Sequence, residues 1–105
     1  MIGSEKQVSW ALSIQNKVIC IIVNNPDKFP LSEEMIQFYQ EIQDASWWIN
    51  NRQRLAQPEY ILVYGLVSLV QYKGLAEACD EVVRLQDDEY LAPIFDEFKV
   101  EVEEC

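Results

Sequence analysis

The chain has 105 residues, half of them hydrophobic, which is enough for one folded domain with a real core and argues against disorder. Its 18 acidic and 8 basic residues give a net charge of −10, which disfavours binding to nucleic acid or to an anionic membrane. Three cysteines far apart leave too few ligands for a zinc site, and the absence of histidine excludes Ser-His and Cys-His nucleophilic pairs within this chain.

The first predicted element is a helix from Glu5 to about Val23. Ser4 is the expected N-cap, because Ser4 and Gln7 have the spacing of a capping box, in which each side chain bonds the other residue's backbone N–H. The β-branched run 18–23 would also suit a strand. Apolar residues at helical spacing are expected on the buried face: Val8, Ala11, Leu12, Ile14, Val18, Ile19 and Ile22.

A second helix is predicted to follow Ser32, its expected N-cap. Glu33 and Glu34 then fall in the first turn, where the helix dipole favours negative charge. The apolar pattern continues to about Arg54. A break near Asp44 is the alternative, since Asp44 can cap a second, shorter helix.

The strongest signal is the run 58–74, which is strongly apolar at most positions between Tyr60 and Tyr72. Pro58 suits the first turn of a helix, and Gly74 suits the left-handed position just past its end. A helix that is apolar nearly all round belongs inside a bundle, so we expect it at the centre of the fold. The run is too short to cross a membrane, which takes about 20 residues.

An amphipathic helix from Leu75 to Leu85 and a short helix from Pro93 to Phe98 are predicted next. Residues 98–103 alternate strictly and would suit a short C-terminal strand. The predicted fold is therefore all-α: one domain, residues 1–105, in which four or five helices surround helix 58–74.

The hexamer from Trp47 to Arg52 is distinctive. Adjacent residues on a helix point about 100° apart, so one of Trp47 and Trp48 is expected to pack inward while the other lies at the edge. Arg52 is expected to lay its guanidinium on the Trp48 ring. Trp and Arg dominate binding hot spots, so Trp47 and Arg52 are candidate partner-binding residues. The alternative is a core Trp covered by an Arg.

Segment 3–11, Gly3-Ser4-Glu5-Lys6-Gln7-Val8-Ser9-Trp10-Ala11, with Ile14 after it, and segment 45–52, Ala45-Ser46-Trp47-Trp48-Ile49-Asn50-Asn51-Arg52, resemble two motifs of small uncharacterised proteins of bacteriophages and other mobile elements. The chain differs from them at Ser9 and at Gln15-Asn16, where more charge is expected. The resemblance implies a phage or mobile-element origin and no particular activity.

The charge is concentrated in residues 75–105, which hold eleven acidic and two basic residues, a balance of −9, against −1 for residues 1–74. Such carboxylates can imitate the phosphates of a nucleic acid and occupy a basic groove. The alternative is a solvated face that keeps the protein soluble. The candidate partner-binding acids are Glu77, Asp80, Glu81, Asp87, Asp88, Glu89, Asp96 and Glu97.

Glu97-Phe98-Lys99 has the E-x-K spacing of metal-dependent nucleases, with Asp87 or Asp88 as a second ligand. That site needs a sheet, which the sequence does not predict. An enzyme acting on nucleic acid would also rarely carry so negative a surface. We therefore expect no enzymatic activity, no cofactor and no metal.

In size and charge the chain resembles the small acidic anti-CRISPR proteins. We therefore expect an inhibitor that docks on a basic, nucleic-acid-binding nuclease or effector complex of the host and binds neither nucleic acid nor membrane itself. The alternative is an interaction module or small homodimer that pairs through Trp47, Trp48 and apolar helices. We expect free thiols and a cytoplasmic location in the host cell.

Overall fold

The structure, a computed structural model, describes residues 1–98. Within them lie six α-helices: α1 Glu5–Asn24, α2 Ser32–Gln40, α3 Ala45–Asn50, α4 Pro58–Ser68, α5 Ala76–Leu85 and α6 Ala92–Asp96. The all-α helical bundle predicted from the sequence is confirmed. The strand predicted over 98–103 lies outside the described residues except for Phe98, which follows α6 in a turn.

The chain divides into two compact units, Met1–Pro58 and Glu59–Cys105. Helices α1 to α3 belong to the first unit, and α5 and α6 belong to the second. Helix α4 begins at the boundary. The prediction of a single domain over residues 1–105 stays a prediction.

The capping box predicted at the start of α1 is present. The Gln7 backbone N–H donates to Ser4 Oγ at 3.2 Å, and the Ser4 backbone N–H donates to Gln7 Oε1 at 3.0 Å. The β-branched run continues the helix to Asn24 rather than forming a strand. At the C-terminal end the Asn25 side chain donates to the Ile21 carbonyl at 2.7 Å.

Replacing Ser4 with alanine is expected to lower the free energy of unfolding by about 1 kcal/mol, because the Gln7 N–H loses its acceptor. Amide hydrogen exchange at Gln7 should become faster. Ser9→Ala is the matched control, since Ser9 is also exposed but lies inside the helix. Equal exchange at Gln7 in the parent and in Ser4→Ala would contradict the role given to the cap.

The buried face of α1 differs from the predicted one. Its buried residues are Ala11, Gln15, Val18 and Ile22, whereas Leu12 is 42% exposed. Gln15 is buried because its side-chain amide donates to the Tyr39 carbonyl of α2 at 3.1 Å. A polar group paired in this way is tolerated in a core. The expectation that Leu12 belongs to the core is therefore wrong, and the core face is turned toward Gln15.

The prediction that Ser32 caps α2 is also wrong. Ser32 is the first residue of the helix, and Leu31 precedes it in a left-handed conformation with φ of 58° and no side-chain cap. Leu31 comes two residues after Phe29, whose side chain is only 2% exposed. The start of α2 thus follows directly on the turn that buries the Phe29 ring, and no side-chain cap is present.

The break near Asp44, left open by the sequence, is present. The Asp44 carboxylate accepts from the Ser46 backbone N–H at 3.0 Å and caps α3. The N-terminal residues contact the start of α3, because Ile2 pairs with Asp44 in an isolated parallel β-bridge. Gly3 follows with φ of 150°, and a Cβ there would lie 2.9 Å from Ala45 Cβ. Only glycine suits this close approach.

In the second unit, α4 is buried at almost every position, as its composition predicted. Its buried residues are Tyr60, Ile61, Leu62, Val63, Gly65, Leu66, Val67 and Ser68. A π-helical segment, Leu69–Lys73, continues it, and Gly74 ends it with φ of 61°, the left-handed value expected. No helix within residues 1–98 is long and apolar enough to cross a membrane.

Candidate functional site

The predicted acidic residues lie on α5, on α6 and in the turn between them. Seven of these side chains are exposed, and we call them the acidic surface: Glu77, Asp80, Asp87, Asp88, Glu89, Asp96 and Glu97. Helix α5 buries Ala78 and Val82, so Glu77 and Asp80 fall on its outer side. The predicted exposure of these acids is thus present, while their role in binding stays a prediction.

Two of the predicted acids have structural partners. Glu81 is half-buried, with 26% of its side chain exposed, and it pairs with the Arg84 guanidinium one turn further along α5. The Asp88 carboxylate accepts from the backbone N–H of Tyr90 at 2.8 Å and of Leu91 at 3.3 Å. Glu81 and Asp88 therefore support the local fold, and the charges of Glu77, Asp80 and Asp87 are better candidates for contact with a partner.

Trp47 and Trp48 differ in burial, as predicted for adjacent residues on a helix. Trp48 has no exposed surface, and its indole N–H donates to the Ile42 carbonyl at 3.0 Å. Trp47 is half-buried and meets the Trp48 ring edge-on, with 5.0 Å between ring centroids. Trp48 is thus a core residue, and Trp47 lies at the edge of that core.

Arg52 does not cover Trp48 as expected. Its guanidinium lies over the ring of Trp10 on α1, 5.1 Å from the ring centroid, and donates to the Ile49 carbonyl at 2.6 Å. The reason is that Trp48 points wholly into the core and offers Arg52 no accessible face. Trp10 is 48% exposed, so its ring face is open to a cation.

Trp10 and Arg52 border an open groove of about 1220 Å³ in the first unit. One side is the outer face of α1, from Glu5 to Ile21, and the other comprises Arg52, Leu55 and Ala56. Its lining is mostly apolar or small. A groove of this kind suits a protein segment rather than a small polar substrate.

Sequence reasoning did not predict this groove. Leu12, which lines it, was expected in the core, and Trp10 was singled out only as part of a motif. A signal was present, because Trp10 does not share the spacing of Ala11, Gln15 and Val18 and so had to lie off the core face. The opposite wall comes from residues more than thirty positions away, which no local pattern reveals.

The arrangement needed for the E-x-K nuclease site is not found in residues 1–98. Glu97 lies in a turn after α6, the described residues contain no strand beyond the isolated bridge, and Lys99 is outside them. In the same residues no group of three or more Cys, Asp or Glu side chains could hold a metal ion. Cys20 and Cys79 are free thiols, Cys20 exposed and Cys79 half-buried.

The two segments that resemble phage and mobile-element proteins meet in the first unit. Gly3 approaches Ala45 closely, and Trp10 stacks beneath Arg52. The resemblance of the two segments and their origin stay predictions. Comparisons of the chain with protein-family models, with curated proteins and with solved structures find no match.

Proposed function

We propose that this protein is a non-enzymatic inhibitor of the anti-CRISPR kind, which binds a basic, nucleic-acid-binding surface of a host defence protein. The acidic surface takes the place of nucleic acid phosphates in this interaction. The observation that carries the proposal is the exposure of seven carboxylates within residues 77–97. The partner is a nuclease or effector complex, and the site of action is the host cytoplasm.

The charge of the second unit supports this proposal. Residues 59–105 hold twelve acidic and three basic residues, a balance of −9, whereas residues 1–58 hold six and five, a balance of −1. Like charges on one surface repel each other and weaken the fold. A field of this strength does, however, steer a basic partner and speed its association. The exposure of Glu77, Asp80 and Asp87 leaves their charges available for that purpose.

A second candidate function rests on a different observation. The groove in the first unit presents Trp10 and Leu12, which are 48% and 42% exposed. Exposed apolar side chains around a groove are typical of protein-binding surfaces. An interaction module that binds through the groove would depend little on salt, whereas docking through the acidic surface would weaken steeply as salt rises.

Reversing the charge of Glu77, Asp80 and Asp87 to lysine is expected to weaken binding to the host partner by about tenfold or more, mainly by slowing association. Glu81 is left unchanged because it pairs with Arg84. The protein, immobilised, first captures its partner from a host lysate at low salt. Association and dissociation rates of the identified partner are then measured by surface plasmon resonance.

The matched control reverses Asp27, Glu33 and Glu34, three exposed acids of the first unit. Both triple variants have the same net charge, and each changes the first turn of a helix, at Glu77 in the test variant and at Glu33 and Glu34 in the control. The control should bind like the parent. Equal binding by all three proteins, together with loss of binding in Trp10→Ala, would contradict the inhibitor proposal and favour the interaction module.

A further inference from the structure

Tyr90, in the turn between α5 and α6, has the most exposed aromatic side chain within residues 1–98. It is 77% exposed, against 67% for Tyr72 and 48% for Trp10. A ring this exposed buries little surface against its own chain, so the fold gains little from it. The next residue, Leu91, is only 7% exposed, and it is Leu91 rather than Tyr90 that attaches the turn to the core.

The backbone that carries Tyr90 is held in place by Asp88. The Asp88 carboxylate accepts from the backbone N–H of Tyr90 at 2.8 Å and of Leu91 at 3.3 Å. The Asp88 backbone carbonyl accepts from the N–H of Leu91 at 3.1 Å and of Ala92 at 2.8 Å. A tyrosine side chain on a fixed backbone has only two torsions left to order, so contact with a partner costs it little conformational entropy.

The surroundings of Tyr90 are strongly acidic. The three residues before it, Asp87, Asp88 and Glu89, are all exposed, and residues 86–97 hold five acidic residues and no basic one. Consecutive Cα atoms are 3.8 Å apart, so the Cα of Asp87 lies at most about 11 Å from that of Tyr90. Tyr72 has the opposite environment, since residues 69–75 hold one lysine and no acidic residue. Of these two exposed tyrosines, only Tyr90 lies within the acidic surface.

We propose that Tyr90 takes the place of an unpaired base, and that the partner is a protein whose binding site takes single-stranded nucleic acid. This inference rests on the proposed function, in which the carboxylates of the acidic surface replace phosphates. Proteins that bind single strands combine a basic groove, which follows the phosphates, with aromatic side chains on which the bases stack. A turn that presents an aromatic ring directly after three carboxylates complements both parts of such a site.

A site for double-stranded nucleic acid complements this turn less well. The bases of a duplex are stacked inside it, and proteins contact its outside mainly through phosphate and sugar. A site built for those contacts gives the exposed ring of Tyr90 no surface to stack on. The unpaired bases of a single strand expose their faces, and aromatic and arginine side chains of the binding protein pack against them.

Competition between this protein and nucleic acid tests the inference. The partner identified by capture is bound to a fluorescently labelled oligothymidylate, oligouridylate or DNA duplex of equal length, and release of the label is followed by fluorescence anisotropy. We expect the partner to bind a single strand more tightly than the duplex, and this protein to displace that strand. The strand displaced more readily identifies the mimicked nucleic acid as DNA or RNA.

The outcomes of this competition separate the inference from the proposed function. A partner that binds the duplex and neither single strand overturns the inference, while displacement of that duplex leaves the inhibitor proposal standing. A partner that keeps all its nucleic acids in the presence of the parent protein overturns both proposals. Capture of no partner also contradicts both, since the second rests on the first.

Substitutions of Tyr90 test the role of the ring. Tyr90→Ala should raise the concentration that displaces half of the single strand by about tenfold or more, as expected for the loss of one stacked ring. Tyr90→Phe should act like the parent, because stacking needs the ring and not the hydroxyl. Tyr72→Ala is the matched control and should also act like the parent. Urea unfolding of each variant checks that the fold is unchanged.

Binding rates distinguish the ring from the charges around it. The carboxylates attract the partner at a distance, so reversing Glu77, Asp80 and Asp87 slows association. A stacked ring is in contact only after docking, so Tyr90→Ala should instead speed dissociation and leave association and its dependence on salt unchanged. If Tyr90→Ala dissociates and displaces the strand like the parent while the charge-reversed variant binds poorly, the inference is overturned and the inhibitor proposal stands.

Discussion

Replacing Trp48 with alanine is expected to lower the free energy of unfolding by about 3–5 kcal/mol. Trp48 has no exposed surface, so the substitution leaves a large cavity. It also removes the indole N–H that donates to the Ile42 carbonyl, and a carbonyl left without its donor adds to the cost. The substitution also removes the contacts of the Trp48 ring with Tyr39, whose ring centroid lies 6.1 Å from that of Trp48, and with Trp47.

Urea unfolding followed by far-ultraviolet circular dichroism measures this change. Trp47→Ala is the matched control, because it removes the same atoms from the neighbouring position. Trp47 is half-buried, so its loss should cost clearly less. Equal losses in the two variants would show that Trp48 is not the core member of the pair. Trp48→Phe should recover part of the loss, since it restores a ring but not the N–H donor.

Replacing Leu66 with alanine is expected to cost about 2–5 kcal/mol. Leu66 has no exposed surface and lies in the last turn of α4, which the π-helical segment Leu69–Lys73 continues. Both of its helical neighbours, Gly65 and Val67, are also buried, which leaves little room for the surroundings to move into the cavity. The size of the loss depends on how far such a site can collapse.

The control for Leu66→Ala is Leu12→Ala, the same chemical change at a position that is 42% exposed. We expect the control to cost well under half of the loss seen at Leu66. If Leu66→Ala unfolds at the same urea concentration as the parent, α4 is not part of the core.

The sequence alone was sufficient to predict the features that depend on residues close together along the chain. The Ser4 capping box, the Asp44 cap as an alternative, the buried helix after Pro58 and the left-handed Gly74 are all local, so residue type and spacing determine them. The exposure of Glu77 and Asp80 on α5 was predictable for the same reason, because their spacing turns them away from the buried Ala78 and Val82.

Only the tertiary structure decided which face of α1 is buried. Gln15 enters the core because a carbonyl of Tyr39, 24 residues away, accepts from its amide, and Leu12 is displaced to the surface as a result. Arg52 stacks on Trp10 rather than Trp48 because the fold brings α1 beside the segment after α3 and turns Trp48 inward. The groove arises from the same packing. The residues of its two walls are far apart in sequence. They are held together by long-range contacts that no local pattern encodes.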